Sequence, residues 1–305
     1  MKVFVTGGTG TLGRPAVSAL VEAGHEVRAA ARSDASAAAV RELGATPVLI
    51  EDLFDKGEIE RAVEGCEAIA HLATRVPPLR QMRKRGAWRD NDRLRSQGSS
   101  ILVNAALAAG IRIYVQPSVT LLYQDLGDTV LYESAPVDAP WPLSSARDAE
   151  REASRITARG GEGIVLRCSS FYGAEVASTH EMVGLARWRL LPLLGTGEQY
   201  VSSIHVADAA TAVVAALTVR AGIYNVTDDE PLPAKIQLEA FTQAFGFKSP
   251  RRVSARTARL LLGPAAEIFG RSQRVDNTMF RSASGWAPQH ASVREGWPAV
   301  AAALR

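Results

Sequence analysis

The amino-acid sequence predicts an α/β protein, a doubly wound parallel sheet of Rossmann type with a smaller mixed C-terminal lobe. Three observations carry this expectation. Short apolar or β-branched runs alternate with longer Ala-rich segments of helical period. The first run leads directly into a glycine-rich loop, VTGGTGTLG at 5–13, that opens a helix. The alternation holds to about residue 170 and then changes rhythm. Strands joined through helices must run parallel, with helices on both faces, and right-handed crossovers then wind the sheet in two directions.

In chain order the reading is as follows. KVFVT (2–6) is the first strand, followed by a helix to about Ala23. EVRAAA (26–31), a helix over Asp34–Leu43, TPVLI (46–50), a helix near 56–64 and EAIAHL (67–72) continue the series. A helix near 92–109, IRIYV (111–115), a helix from Trp141 to about Arg159 and GIVLRCS (163–169) complete it. Beyond about residue 171, helical patterns near 179–191, 205–219, 234–245 and 255–268 surround the short strand candidates YVSSI (200–204) and GIYNV (222–226). Neither repeats nor a long linker occur, so 1–170 is read as a dinucleotide-binding domain and 171–305 as a substrate lobe sharing one body with it.

Composition narrows the function classes. With 305 residues, 47% of them hydrophobic and 22% charged, the chain resembles an ordinary globular protein. A net charge of +3 is too small an excess to imply nucleic acid, and no aromatic-basic recognition pattern accompanies it. Cys66 and Cys168 have no metal-type spacing and fit a reducing cytoplasm. Without a signal peptide or an unbroken apolar span, a cytoplasmic protein is expected. The expected partner is a small-molecule substrate, with neither nucleic acid nor membrane nor metal, and a homodimer stays open.

Gly7, Gly10 and Gly13 have the spacing G-x-x-G-x-x-G between a strand and a helix. The first allows a tight turn, the second lets backbone N–H groups approach a pyrophosphate, and the third permits close helix packing. At the end of the second strand, an acid would favour NAD by accepting from the ribose 2′-hydroxyl. Arg32 and Ser33 stand there instead, and a cation with a hydroxyl suits the 2′-phosphate of NADP. The competing reading makes Arg32 a solvated strand-end charge and Asp34 merely the start of the next helix.

These motifs, taken with EDL (51–53), HLAT (71–74), SSIHVADAA (202–210) and GIYNVTDDEPL (222–232), resemble the extended or atypical short-chain dehydrogenase/reductases of the NAD(P)-dependent epimerase/dehydratase type. The resemblance runs over nearly the whole chain. It implies cofactor contacts from Gly7, Gly10, Thr11, Leu12 and Gly13, from Asp52 and Leu53 on the adenine side, and from Ala73, Thr74 and Ser169 along the cofactor. His205 and Asp208 are implied mostly as organisers of the C-terminal lobe.

Enzymes of that family move a hydride while a Tyr exchanges a proton. A Lys four residues later, on the same helix face, lowers the Tyr pKa. In this sequence Ser118 or Thr120 fills the substrate-orienting hydroxyl position, and Tyr123 resembles the Tyr found just downstream. The dyad itself should lie in WPLSSARDAERE (141–152). If Glu150 takes the place of the family's Glu, Tyr and Lys fall on Pro142 and Ala146; if Glu152 does, they fall on Ser144 and Asp148. No Lys occurs anywhere between Lys84 and Lys235.

Three readings follow. The chain is an NADP-dependent oxidoreductase with another acid, such as Tyr123, Tyr132, Asp148 or a water. Alternatively, it transforms a substrate that needs none, one already charged or enolic. In a different class, it binds NADP without turnover, as a redox sensor. Sugar-nucleotide epimerase or dehydratase activity ranks below these, because it leans most on the dyad. The segment 75–95 carries Arg75, Arg80, Arg83, Lys84, Arg85, Arg89, Arg93 and Arg95 against two acids, and could attract an anionic substrate. Phe171, Arg187 and Trp188 are further candidate substrate contacts.

Overall fold

The computed structural model describes residues 1–305, with side chains described for all but residues 255, 259, 261, 262, 264 and 265. Its centre is a seven-stranded parallel sheet. The strands are β1 (Lys2–Thr6), β2 (Glu26–Ala31), β3 (Thr46–Leu49), β4 (Ala68–His71), β5 (Ile113–Val119), β7 (Glu162–Cys168) and β12 (Gly222–Val226). Their order across the sheet is β12-β7-β5-β4-β1-β2-β3. The winding direction reverses between β1 and β4, which is where an open parallel sheet leaves a crevice at its C-terminal edge.

Alternation along β1 shows how the layers form. Val3 and Val5 join the core on one face, with Ala16, Val17 and Leu20 of α1 (Gly13–Glu22) and Ala209, Ala212 and Val213 of α8 (Val206–Ala216). Phe4 joins the core on the other, with α3 (Lys56–Val63), α5 (Ser99–Ala108) and α6 (Ser144–Thr157). Successive strand side chains point to opposite faces, so the unbroken apolar run is the signature of a strand buried on both sides. α2 (Asp34–Glu42) begins at Ser33, whose hydroxyl caps it.

Residues beyond 170 are divided between two bodies. GIYNV becomes β12, the edge strand beside β7, and α8 packs against α1, so both belong to the central layers. The remainder forms the smaller lobe. Here β8 (Ser170–Tyr172) pairs β11 (Ser203–His205), β9 (Pro192–Leu194) pairs β14 (Arg251–Val253), and β10 (Tyr200–Val201) pairs β13 (Leu232–Pro233). Its core joins Tyr172 and Leu232 to Phe241 of α9 (Ala234–Phe245) and to Val293, Trp297 and Val300 of α13 (Val293–Ala303). α7 (Ala177–Arg187) adds Ala186. A two-stranded ladder of β6 (Val130–Leu131) and β15 (Arg274–Val275) ties the segment after β5 to the C-terminal region.

Two expected elements differ in extent. YVSSI is two strands, β10 and β11, because Val201 and Ser203 pair with different partners. The helical pattern over 255–268 is interrupted at Gly263, whose φ is +57°, giving α10 (Ala255–Leu262) and α11 (Pro264–Gly270). α12 (Thr278–Ser284) lies against β12.

Candidate active site

The glycine loop is built on close approach. Gly7 has φ +72°, and a Cβ there would lie 2.6 Å from both N and Cα of Ala73. A Cβ on Gly13 would lie 1.9 Å from the carbonyl oxygen of Gly7. The loop therefore rests on the exit from β4, and α1 rests on the loop. The Gly10 N–H donates to Gly7 O at 2.9 Å and closes the turn. α1 starts with no side-chain cap, and among the described residues the N–H groups of Thr11, Leu12 and Gly13 donate to no acceptor. Orphan donors at the positive end of a helix, with no Cβ in the way, fit a pyrophosphate.

At the end of β2, Ser33 and Ser36 form a reciprocal capping box, so the Ser33 hydroxyl is engaged in starting α2. The Arg32 guanidinium is exposed and forms no ion pair among the described residues. Asp52 is exposed, with Oδ1 accepting from Phe54 N at 3.0 Å, and Leu53 is half-buried. Ala73 is buried under Gly7, and Thr74 is exposed.

The corner formed by β5, β7 and α6 holds a sealed ionic lock. Arg167 donates Nε to Glu150 Oε1 at 2.8 Å and Nη2 to Oε2 at 2.9 Å. Ser118 Oγ donates to the same Oε1 at 2.7 Å. Both charges are buried, and the forked geometry is the strong form of this pairing. Pro142, in the 3-10 turn leading into α6, and Ala146 and Glu150 on α6 are buried and four residues apart, whereas Ser144, Asp148 and Glu152 face outward or lie part-exposed. The inward face thus carries neither Tyr nor Lys in the register that faces the sheet. Thr120 is buried with its hydroxyl 3.3 Å from that of Ser169. Tyr123 is fully buried, donates to Asn225 Oδ1 at 2.7 Å and lies under the Arg167 guanidinium at 4.8 Å. Burial pushes its phenol above the ordinary value.

Beside this lock, His71 at the end of β4 is buried between Thr6 Oγ1 at 2.6 Å and Leu94 O at 3.3 Å. A carbonyl can only accept, so Nε2 carries the proton and Nδ1 accepts from Thr6. Desolvation pulls the imidazole down to about 4, which keeps it neutral. The same Leu94 carbonyl opens a π-turn over Leu94–Gly98, with Ser99 N–H reaching back five residues to it. That turn carries Arg95, 6% exposed.

The basic segment is anchored rather than loose. Trp88 is 1% exposed, donates Nε1 to Met82 O at 3.0 Å, and meets Trp141 edge-on. Arg85 lies over the Trp141 ring, Arg93 over Phe54, and Arg75 pairs with Asp90. Phe171 is half-buried on β8. Arg187 and Trp188 end α7 in solvent, Trp188 being 76% exposed, and no hydrogen bond or ring contact among the described residues ties them to the other candidates. Asp208, at the start of α8, clasps the C-terminal segment by accepting from the N–H groups of Gln289 and His290 and from the His290 ring. His205 stacks on that ring at 4.1 Å.

Sequence reasoning missed the Glu150–Arg167 lock, His71 and the buried Arg95. A signal existed for the lock: Arg167 interrupts an otherwise apolar strand, and a charge there demands a buried partner.

The NAD dependent epimerase/dehydratase family matches residues 3–227. A 3-diazoavenalumate denitrifying reductase from a Streptomyces species is 36% identical, covering 97% of this chain and 99% of its own. A 4-hydroxy-2-methyl-3-oxo-4-farnesyl-3,4-dihydroquinoline-1-oxide ketoreductase of Stigmatella aurantiaca is 29% identical, covering 82% of this chain and 75% of its own. Among solved structures, human epimerase family protein SDR39U1 with NADPH superposes with a TM-score of 0.83 at 19% identity, over 99% of each chain. The glycine cradle, the switch point at its edge and these relatives converge: the chain belongs to the NAD dependent epimerase/dehydratase family and is an oxidoreductase.

Proposed function

We propose that the protein is an NADPH-dependent reductase acting on an acceptor that requires no acid from the protein, such as an arenediazonium or a comparably electron-poor group. The observation that carries this reading is the inward face of α6 and of the turn before it, where Pro142 and Ala146 occupy the dyad register and Glu150 is locked by Arg167 and Ser118. Two of the hydroxyls nearby are already committed. Ser118 gives its proton to Glu150, and Tyr123 is sealed and bonded to Asn225.

The chain's own residues bind and orient. The N–H groups of Thr11, Leu12 and Gly13, across Gly7 and Gly10, hold the pyrophosphate. Arg32, whose guanidinium forms no ion pair among the described residues, pairs with a 2′-phosphate, while Ser33 contributes chiefly through its cap. Asp52 and Leu53 border the adenine, and Ala73, Thr74 and Ser169 run along the nicotinamide half. Thr120 and Phe171 shape the acceptor end, whereas Arg187 and Trp188, exposed at the end of α7, take no part in this reading. When bound, the reduced nicotinamide supplies a hydride, which converts an arenediazonium into an aryl diazene that loses N2 and keeps its hydrogen on carbon. No outside proton enters that balance, so an apolar α6 face suffices. The 36% identical relative, named for a denitrifying reduction, supports the same chemistry.

The test is NADPH oxidation on a panel of an arenediazonium carboxylate, a ketone and an enone, corrected for the rate without protein. The expected result is turnover of the diazonium with one N2 released per NADPH, and a kcat without the pH limb of a protein acid. Preferential turnover of the ketone would refute the reading.

A further inference from the structure

Arg95 is a buried cation that forms no ion pair among the described residues. It is 6% exposed, and among the described residues none of its side-chain nitrogens makes a hydrogen bond or an ion pair; Nη1 is wholly enclosed without a partner. Neither of the two nearby carboxylates forms an ion pair with it. Glu150 is held by Arg167 and Ser118, and Asp92 Oδ1 accepts from Ser145 Oγ at 2.7 Å. Glu150, Asp92 and Cys168 act on Arg95 through space, and Arg95 in turn acts on His71. Those residues mark its place at the C-terminal edge of the sheet, where β4, β5 and β7 end.

An unpaired guanidinium in such a site is costly, several kcal/mol on general grounds. The backbone is also specially arranged to put it there, on a π-turn held open by the His71–Leu94 contact. A fold keeps an expensive, preorganised charge where a ligand neutralises it. The pyrophosphate does not do so, because its cradle lies across the switch point, at β1.

We infer that Arg95 is the anchor for an anionic oxygen, carboxylate or phenolate, on the aromatic acceptor that the reductase binds. The inference rests on the proposed reductase reading and adds to it the substrate's charge. A planar fork suits either oxygen, bidentate to a carboxylate or single to a phenolate. The exposed Arg80, Lys84 and Arg89 of the preceding segment draw the same charge towards the cleft.

The experiment is calorimetric titration of the NADP+-loaded protein with 4-hydroxycinnamate, its methyl ester and 4-methoxycinnamate, for wild type, Arg95→Gln and Arg95→Lys. Wild type should bind 4-hydroxycinnamate, and Arg95→Gln should weaken it about tenfold to hundredfold. Arg95→Lys, which keeps the charge without the fork, should fall between. Loss with the ester in wild type identifies the carboxylate as the anchored oxygen, and loss with the ether identifies the phenolate. NADP+ affinity should be unchanged in both variants, and the ligand-free Arg95→Gln protein should melt no lower than wild type, since it sheds an unpaired charge. Undiminished binding by Arg95→Gln, no binding by wild type, or a lowered ligand-free Tm marking a structural role would each overturn the inference. A protein that binds these acids through Arg95 but leaves diazonium untouched would refute the reductase chemistry alone.

Discussion

A Cβ on Gly13 would stand 1.9 Å from the carbonyl oxygen of Gly7, and one on Gly7 would run into the backbone of Ala73. At these two positions the side chain is excluded by backbone, which cannot move aside, so the glycines were legible in the sequence as a motif. The sequence joins Arg32 and Ser33 as partners for a 2′-phosphate; the structure engages Ser33 in capping α2 and leaves the Arg32 guanidinium without an ion pair among the described residues. Arg32→Ala should raise the Kd for NADPH about tenfold or more while leaving NADH nearly unchanged, measured by cofactor fluorescence. Equal losses for both cofactors would reduce Arg32 to a solvated charge. In the sequence, Arg95 is one of many basic residues in a charged segment. Nothing in the local pattern separates the one that turns inward, because that depends on the π-turn and on a histidine from another strand.

Between elements, the decisive contact is the lock joining α6 to β7. Glu150 is one of several acids in a strongly charged helix, but it lies in step with Ala146 and Ala153 on the buried face. Glu152 pairs instead with Arg155 on its own helix. Removing one member of a buried pair leaves the other charge stranded, so Glu150→Gln should cost about 3 kcal/mol or more of stability. The double variant Glu150→Met, Arg167→Met should recover most of that loss in urea unfolding, since two apolar groups leave no stranded charge. A double variant as unstable as the sum of the single ones would show that the lock stabilises beyond its own pairing. Helix and strand periodicity located nearly every element of the first half. It did not locate the register of α6 against the sheet, which is set by which acid finds Arg167.

Across the whole molecule, β12, β11 and the C-terminal helices meet at Asp228. Its N–H donates to Ser203 O, its carbonyl accepts from Asn277 Nδ2, and both carboxyl oxygens are buried without partners. Burial, reinforced by the neighbouring Asp229 and Glu230, pushes the carboxyl up to about 9. The folded protein therefore holds a proton that the unfolded chain, at an ordinary 3.8, releases. Stability is then lost as pH rises from about 4 towards 9, and the cost reaches about 4 kcal/mol near neutrality. Asp228→Asn should be more stable than wild type by an amount that grows between pH 5 and 8, read from thermal melts. A pH-independent difference would mean that Asp228 ionises normally.

Local sequence determined the strands and helices of the sheet, the glycine motif and the lack of Tyr and Lys over 141–159, because period, residue type and spacing are properties of neighbouring residues. Only the tertiary structure decided that GIYNV completes the central sheet, that Glu150 is spent on Arg167, and that Arg95 is left buried and unpaired. Each of those outcomes depends on which distant group reaches a charge or a ladder edge first, and desolvation makes that choice expensive to get wrong.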